Sequence, residues 1–215
     1  MKSFDLGVYL VTDPRLCGPR GVLATAKAAV AGGATMVQLR DKTASDAELI
    51  ALGKALKAAI NSHAALLIVN DRIEVALAIG ADGLHLGQRD ADPAAARARL
   101  GNQAIIGLSV ETPALARAAN PRLIDYLGVG PVFATATKAD HAKPLGFDGL
   151  RAICREAAAL PKVAIGGLRA EHAKDVIAAG AQGLAVVSAI CAAADPQAAT
   201  WALRTQVDQI RAISG

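Results

Sequence analysis

Eight short apolar runs punctuate the chain, and each ends in polar or glycine residues. Gly7 to Val11 leads into Thr12-Asp13, Met36 to Leu39 into Arg40-Asp41-Lys42, and Leu66 to Val69 into Asn70-Asp71. Gly83 to Leu86 leads into Gly87-Gln88-Arg89-Asp90, and Ile105 to Leu108 into Ser109. Tyr126 to Val129 opens into a long connection, Val163 to Ile165 ends at Gly166-Gly167, and Leu184 to Val187 ends at Ser188. Runs this short, each followed by a helical pattern, read as strands. Between them lie stretches with apolar residues at three- and four-residue steps: Val22–Val30, Ala47–Ile60, Val75–Ile79, Ala94–Leu100, Pro113–Ala118, Leu150–Leu160, Glu171–Ala178 and Pro196–Ile213. Strand then helix, eight times, predicts a parallel sheet. Right-handed crossovers close it into one (β/α)8 TIM barrel over residues 1–215, a single α/β domain. Such a barrel gathers all eight strand ends on one rim, where its active sites lie.

Three helix-to-strand joints look alike: Ala31-Gly32-Gly33-Ala34, Ile79-Gly80-Ala81-Asp82-Gly83 and Ala179-Gly180-Ala181-Gln182-Gly183. Glycine just past a helix supplies the left-handed position that ends it. The second and third joints lie 100 residues apart, which hints at a half-barrel repeat. The one long connection, Gly130 to Gly146, has the length of a functional lid.

Composition narrows the choice of function. Hydrophobic residues make up 53% of the 215, enough for a large core. No apolar run reaches the roughly 18 residues of a membrane span. The first residues carry no signal-peptide pattern, so a cytoplasmic protein is expected. The net charge of +4 is scattered and aromatic residues are 3%, which argues against nucleic acid and for small anionic ligands. Cys17, Cys154 and Cys191 are far apart and odd in number, and read as buried thiols rather than a metal or redox pair.

Four groups at the strand ends carry chemistry. Asp71 and Asp90 follow adjacent strands, and two carboxylates facing each other suit Mg²⁺, which fills its other positions with water and substrate phosphate. Asn70 or Asp71 serves equally well as the N-cap of a helix starting at Arg72, whereas Asp92-Pro93 already caps the next helix and leaves Asp90 without a structural duty. Gln38, Arg40 and Lys42 share one side of an extended strand; the two cations form a pyrophosphate grip or, alternatively, a pair of solvated charges. Thr135-Ala136-Thr137-Lys138 can close over an anion or be an ordinary loop. Gly166-Gly167 with Val187-Ser188 occupies the phosphate-binding position of many such barrels, or forms a tight turn and a cap. His85 reads as a hydrogen-bonded core residue without a catalytic role, His63, His141 and His172 as surface or loop residues, and Trp201 as barrel packing.

The segments Gln38-Leu39-Arg40-Asp41-Lys42, Val69-Asn70-Asp71-Arg72, His85 to Asp90 and Gly107-Leu108-Ser109 stand in an order and spacing that resemble the thiamine-phosphate synthase family. So do Tyr126 to Phe133 with Thr135 to Lys138, then Ala164 to Gly167, then Val186 to Ile190. The resemblance implies a transferase that couples 4-amino-5-hydroxymethyl-2-methylpyrimidine diphosphate to hydroxyethylthiazole phosphate, giving thiamine phosphate and pyrophosphate. It implies that Gln38, Leu39, Arg40, Asp41, Lys42, Asn70, Ser109 and Lys138 hold the diphosphate, with Arg40, Lys42, Ser109 and Lys138 catalytic. Asp71 and Asp90 would bind Mg²⁺, and Thr135, Ala136, Thr137, Gly167, Val187 and Ser188 would hold the thiazole phosphate. Competing expectations are a thiazole tautomerase of the same superfamily, a sugar-phosphate isomerase on the same fold, and a silent precursor-binding protein.

Overall fold

The computed structural model describes residues 3–135, 143–157 and 159–214. Eight parallel strands close into a barrel in chain order: β1 (Val8–Val11), β2 (Met36–Leu39), β3 (Leu66–Asn70), β4 (Gly83–Leu86), β5 (Ile105–Val110), β6 (Tyr126–Val129), β7 (Lys162–Ile165) and β8 (Leu184–Val186). The seam pairs Tyr9 with Ala185 across β1 and β8. Helices α1 (Pro14–Cys17), α2 (Gly21–Ala31), α3 (Asp46–Ile60), α4 (Ile73–Ile79) and α5 (Pro93–Leu100) alternate with the first five strands. Helices α6 (Pro113–Ala118), α7 (Gly146–Glu156), α8 (Ala173–Ala178), α9 (Ser188–Cys191) and α10 (Pro196–Ser214) follow.

Each strand serves two cores, because successive side chains point to opposite faces. Val8, Leu10, Val37, Leu39, Leu67 and Val69 face the helices in the larger core. Tyr9, Met36, Ile68, Ile105, Tyr126 and Val163 fill the barrel interior. This parity carries Gln38 inward with Met36 and sends Leu39 outward, where it packs near Gly53 of α3.

Helix starts follow local chemistry. Ser45 and Glu48 form a capping box on α3. Asp92 accepts from the N–H groups of Ala94 and Ala95, with Pro93 in the first turn of α5. Helix α7 begins four residues earlier than the apolar spacing predicts. Its buried face is Leu150, Ile153 and Cys154, and it ends at Glu156. Leu160 belongs to the turn that follows, where its N–H donates to Ala157 O, and Pro161 next to it disfavours helical backbone. The four-residue helices α1 and α9 are too short to leave a periodic signature. Trp201 is 65% exposed on α10, so it does not pack against the barrel as expected. Among the described residues no helix is long and apolar enough to cross a membrane.

Candidate active site

A cavity of about 710 Å³ opens on the rim formed by the strand C-termini. Strand parity brings side chains from β2 to β5 to one part of its wall: Gln38, Arg40, Asn70, His85 and Ser109. Ile165, Gly166 and Gly167 of the β7 end, and Val187 and Ser188 beyond β8, line another part.

The segment from Gln38 to Lys42 divides by alternation. Gln38, Arg40 and Lys42 line the cavity. Leu39 is 1% exposed in the outer core, and Asp41 turns back to accept from the N–H and hydroxyl of Thr43, both at 2.8 Å. Neither of these two side chains lines the cavity, which corrects the expectation that the segment binds as a unit. Burial alone would raise the Asp41 carboxyl, but the Thr43 and Ala44 donors and the charge of Arg72 hold it below its ordinary range. Buried Thr12 fixes the Arg40 backbone: the Arg40 N–H donates to Thr12 Oγ1 at 2.9 Å, and the Thr12 hydroxyl donates to Arg40 O at 3.3 Å. Lys42 forms an ion pair with Asp71.

Asp71 adopts φ 53°, a left-handed conformation shared among the described non-glycine residues only with Ala64. Its N–H donates to His85 O at 2.9 Å, which ties the β3 end to β4. The N-cap of α4 is Arg72, and no side chain caps it, so neither Asn70 nor Asp71 serves as the cap. Asp90 lines the cavity and has a local duty after all, because its Oδ2 accepts from the Gly87 N–H at 2.7 Å. Among the described residues there is no cluster of three or more His, Cys, Asp or Glu side chains able to hold a metal.

Gly166 and Gly167, at φ 103° and 64°, make room for the loop after β6 rather than only for a ligand. A Cβ on Gly166 would lie 2.6 Å from Pro131 Cβ, and one on Gly167 would lie 2.8 Å from Phe133 Cβ. The loop extends alongside β7, with the Val132 N–H donating to Ile165 O at 2.9 Å and the Phe133 N–H to Gly166 O at 3.0 Å. Its returning foot is tied by the Leu145 N–H to Pro131 O at 2.9 Å. Thr135 lines the cavity, whereas Ala136, Thr137 and Lys138, with His141, lie outside the described residues.

Several features escaped the sequence. The phenols of Tyr9 and Tyr126 meet inside the barrel, 2.9 Å apart, and reach Gln38 and His85. His85 is a hydrogen-bonded residue as expected, but it also lines the cavity. His172 is partly enclosed, with its ring 4.9 Å from that of Phe133. The thiols of Cys17 and Cys191, remote in sequence, come together where the first and last units meet, and all three cysteines are buried. Hydrogen bonding with Cys17 and burial push the Cys191 thiol far up. Such pairings depend on closure of the barrel, which spacing along the chain does not reveal.

The thiamine monophosphate synthase family profile matches residues 8–190. A thiamine-phosphate synthase of Xanthobacter autotrophicus is 54% identical over 206 residues, covering 96% of this chain and 97% of the relative. One from Azorhizobium caulinodans is 51% identical over 208 residues, covering 97% and 98%. Among solved structures, thiamine phosphate pyrophosphorylase from Pyrococcus furiosus superposes with a TM-score of 0.85 at 38% identity, covering 95% of this chain and 96% of that one.

Proposed function

Because the chain belongs to the thiamine monophosphate synthase family, we propose that it joins 4-amino-5-hydroxymethyl-2-methylpyrimidine diphosphate to hydroxyethylthiazole phosphate and releases pyrophosphate. It is a transferase that forms a carbon–nitrogen bond. The observation that carries the assignment of substrates to residues is the cavity wall: cationic and polar side chains from β2 to β5, glycines and a serine from β7 and β8.

Arg40 and Lys42 grip the diphosphate, Arg through a planar fork and Lys as a point charge. Asn70 and Ser109 add neutral hydrogen bonds, and Lys138 adds a third cation for the diphosphate. Gly167, Val187, Ser188 and Thr135, with Ala136 and Thr137, take the thiazole phosphate. The donor set fits a hard divalent cation: Asp71 and Asp90 offer carboxylate oxygens on adjacent units, and Asp71 already binds a cation, Lys42. When bound there, Mg²⁺ supplies positive charge against the departing diphosphate.

The electron-rich aminopyrimidine carries positive charge at its exocyclic carbon as pyrophosphate leaves, by a dissociative path. Arg40, Lys42 and Lys138 stabilise the negative charge that develops. The thiazole nitrogen bears no proton, so its attack needs no general base, and the chain's tasks are positioning and exclusion of water. The partners we propose are small phosphorylated molecules rather than nucleic acid, which scattered charge and scarce aromatics support; no membrane partner and a cytoplasmic setting belong to the same proposal.

The test is a mass-spectrometric assay for thiamine phosphate from both precursors, with Mg²⁺ and with excess EDTA. Product that disappears with EDTA is expected. Binding of thiazole phosphate without product would transfer the reading to the tautomerase or to a silent precursor-binding protein.

A further inference from the structure

Beneath the cavity, hydrogen bonds run across the barrel from β2 to β5. Gln38 Nε2 donates to Tyr9 Oη at 2.8 Å, and Tyr9 Oη lies 2.9 Å from Tyr126 Oη. Tyr126 Oη lies 2.9 Å from His85 Nδ1, and His85 Nε2 lies 2.9 Å from Ser109 Oγ. Gln38 and both tyrosines are buried, whereas His85 and Ser109 border the cavity.

Two glycines make space for this chain. A Cβ on Gly107 would fall 2.1 Å from Tyr126 Cζ and 2.5 Å from His85 Nδ1. One on Gly128 would fall 3.0 Å from His85 Cε1. Glycine inside a strand weakens it and often marks a close approach; here the approach is that of the His85 and Tyr126 rings.

Counting protons gives the chain a direction. An amide nitrogen only donates, a neutral imidazole has one donor and one acceptor, and a phenol has one proton. With Tyr9 accepting from Gln38, its own proton goes to Tyr126, the phenol beside it. Tyr126 then donates to His85 Nδ1, which leaves the ring proton on Nε2, aimed at Ser109 Oγ. Burial holds both phenols well above their ordinary range, so they keep their protons.

We propose that Gln38, Tyr9, Tyr126, His85 and Ser109 form a one-way donor chain that fixes His85 as its Nε2–H tautomer and commits the Ser109 hydroxyl to donate into the cavity. Tyr126 and His85 are then positioning residues for the anionic oxygen that Ser109 meets. This role rests on the reading of Ser109 as a ligand of the diphosphate substrate.

The first test reads the unsubstituted protein and needs no substrate. Long-range ¹H–¹⁵N correlation on the histidine-labelled protein should show His85 protonated at Nε2 and bare at Nδ1, the signals assigned by their loss in His85→Gln. The reverse chain, with Gln38 presenting its oxygen, puts the proton on Nδ1, and that result overturns the proposal. The second test is a double-mutant cycle. Tyr126→Phe should lower kcat/KM about three- to tenfold, the effect of one hydrogen bond. In the Ser109→Ala background the same change should have no further effect. An equal loss in both backgrounds would make Tyr126 merely structural and overturn the positioning role. If Nε2 is protonated but Ser109→Ala leaves the kinetics of the diphosphate substrate unchanged, the reading of Ser109 has failed and the positioning role falls with it.

Discussion

Asp71 holds a left-handed backbone that costs a non-glycine residue about 1–2 kcal/mol. It caps no helix, and its carboxylate is paired with a lysine that lines the cavity. Its one structural bond, from the N–H to His85 O, is available to any residue, so a strained aspartate here is expected to serve function. Asp71→Gly should therefore leave the melting temperature unchanged or raise it, while turnover falls at least tenfold at moderate Mg²⁺. Circular dichroism and the mass-spectrometric assay for thiamine phosphate check the two halves, and a lower melting temperature with normal turnover would make Asp71 structural. The same scale shows what a sequence can convey. Parity alone places Gln38, Arg40 and Lys42 on one side, because their spacing is two. It does not separate Leu39 and Asp41 from a motif quoted whole, and that separation requires knowing which face is the cavity. Tyr9 and Tyr126 lie 117 residues apart, and only barrel closure brings their hydroxyls together.

The last helix docks on the first segment through charge. Arg204 and Arg211, seven residues apart on α10, both reach Asp5 just before β1, at 3.1 and 2.8 Å. The Gly7 N–H adds a bond at 2.8 Å to the same carboxylate. Burial would raise the Asp5 carboxyl, but the Arg211 hydrogen bond and charge, with Gly7 and Arg204, outweigh it and leave the group below its usual range. A carboxyl lowered in the folded state contributes its full stability above the unfolded value of 3.8 and loses it as the pH falls through the lowered value. Arg211→Ala should cost about 0.5–1 kcal/mol at pH 7 in low salt, since the carboxylate is partly exposed and screened. The part of that cost that belongs to Asp5 should vanish in strong acid, where Asp5 is protonated in both proteins, leaving only what Arg211 gains from its bonds to Gln182 O. Urea titrations at the two pH values measure it, and a wholly pH-independent cost would assign the effect to the Gln182 carbonyl bonds and the packing of the arginine stem rather than to Asp5. Elements were legible to the extent that they were periodic. The eight strands and the capped helices α3 and α5 follow from their residues, whereas α7 was displaced because an alanine run mimicked a continuing helix.

Closure of the sheet turns eight separate strand ends into one wall, and that geometry has a thermodynamic consequence for the molecule as a whole. The number of strand–helix units, read from the sequence, was enough to predict the rim, but not how the rim divides. Polar groups on β2 to β5 and cationic groups just beyond β2 line one part, and Gly167 and Ser188 beyond β7 and β8 line another. If these are two anion sites, ligands at each stabilise the same fold through different residues. A ligand at 100 times its dissociation constant adds about 2.7 kcal/mol, a rise of roughly 5–10 °C for a chain of this length. Pyrophosphate with Mg²⁺ should produce that rise in the wild type and equally in Ser188→Asp. Hydroxyethylthiazole phosphate should produce it in the wild type and lose most of it in Ser188→Asp, where a carboxylate stands against the phosphate. Scanning fluorimetry with each ligand separates the outcomes. Loss of both responses would mean one shared anion site, and loss of neither would move the thiazole phosphate away from β8. The division matters for the reaction: the attacking nitrogen must approach from one part of the wall while pyrophosphate departs toward the other, so two separable responses are what a displacement across this cavity requires.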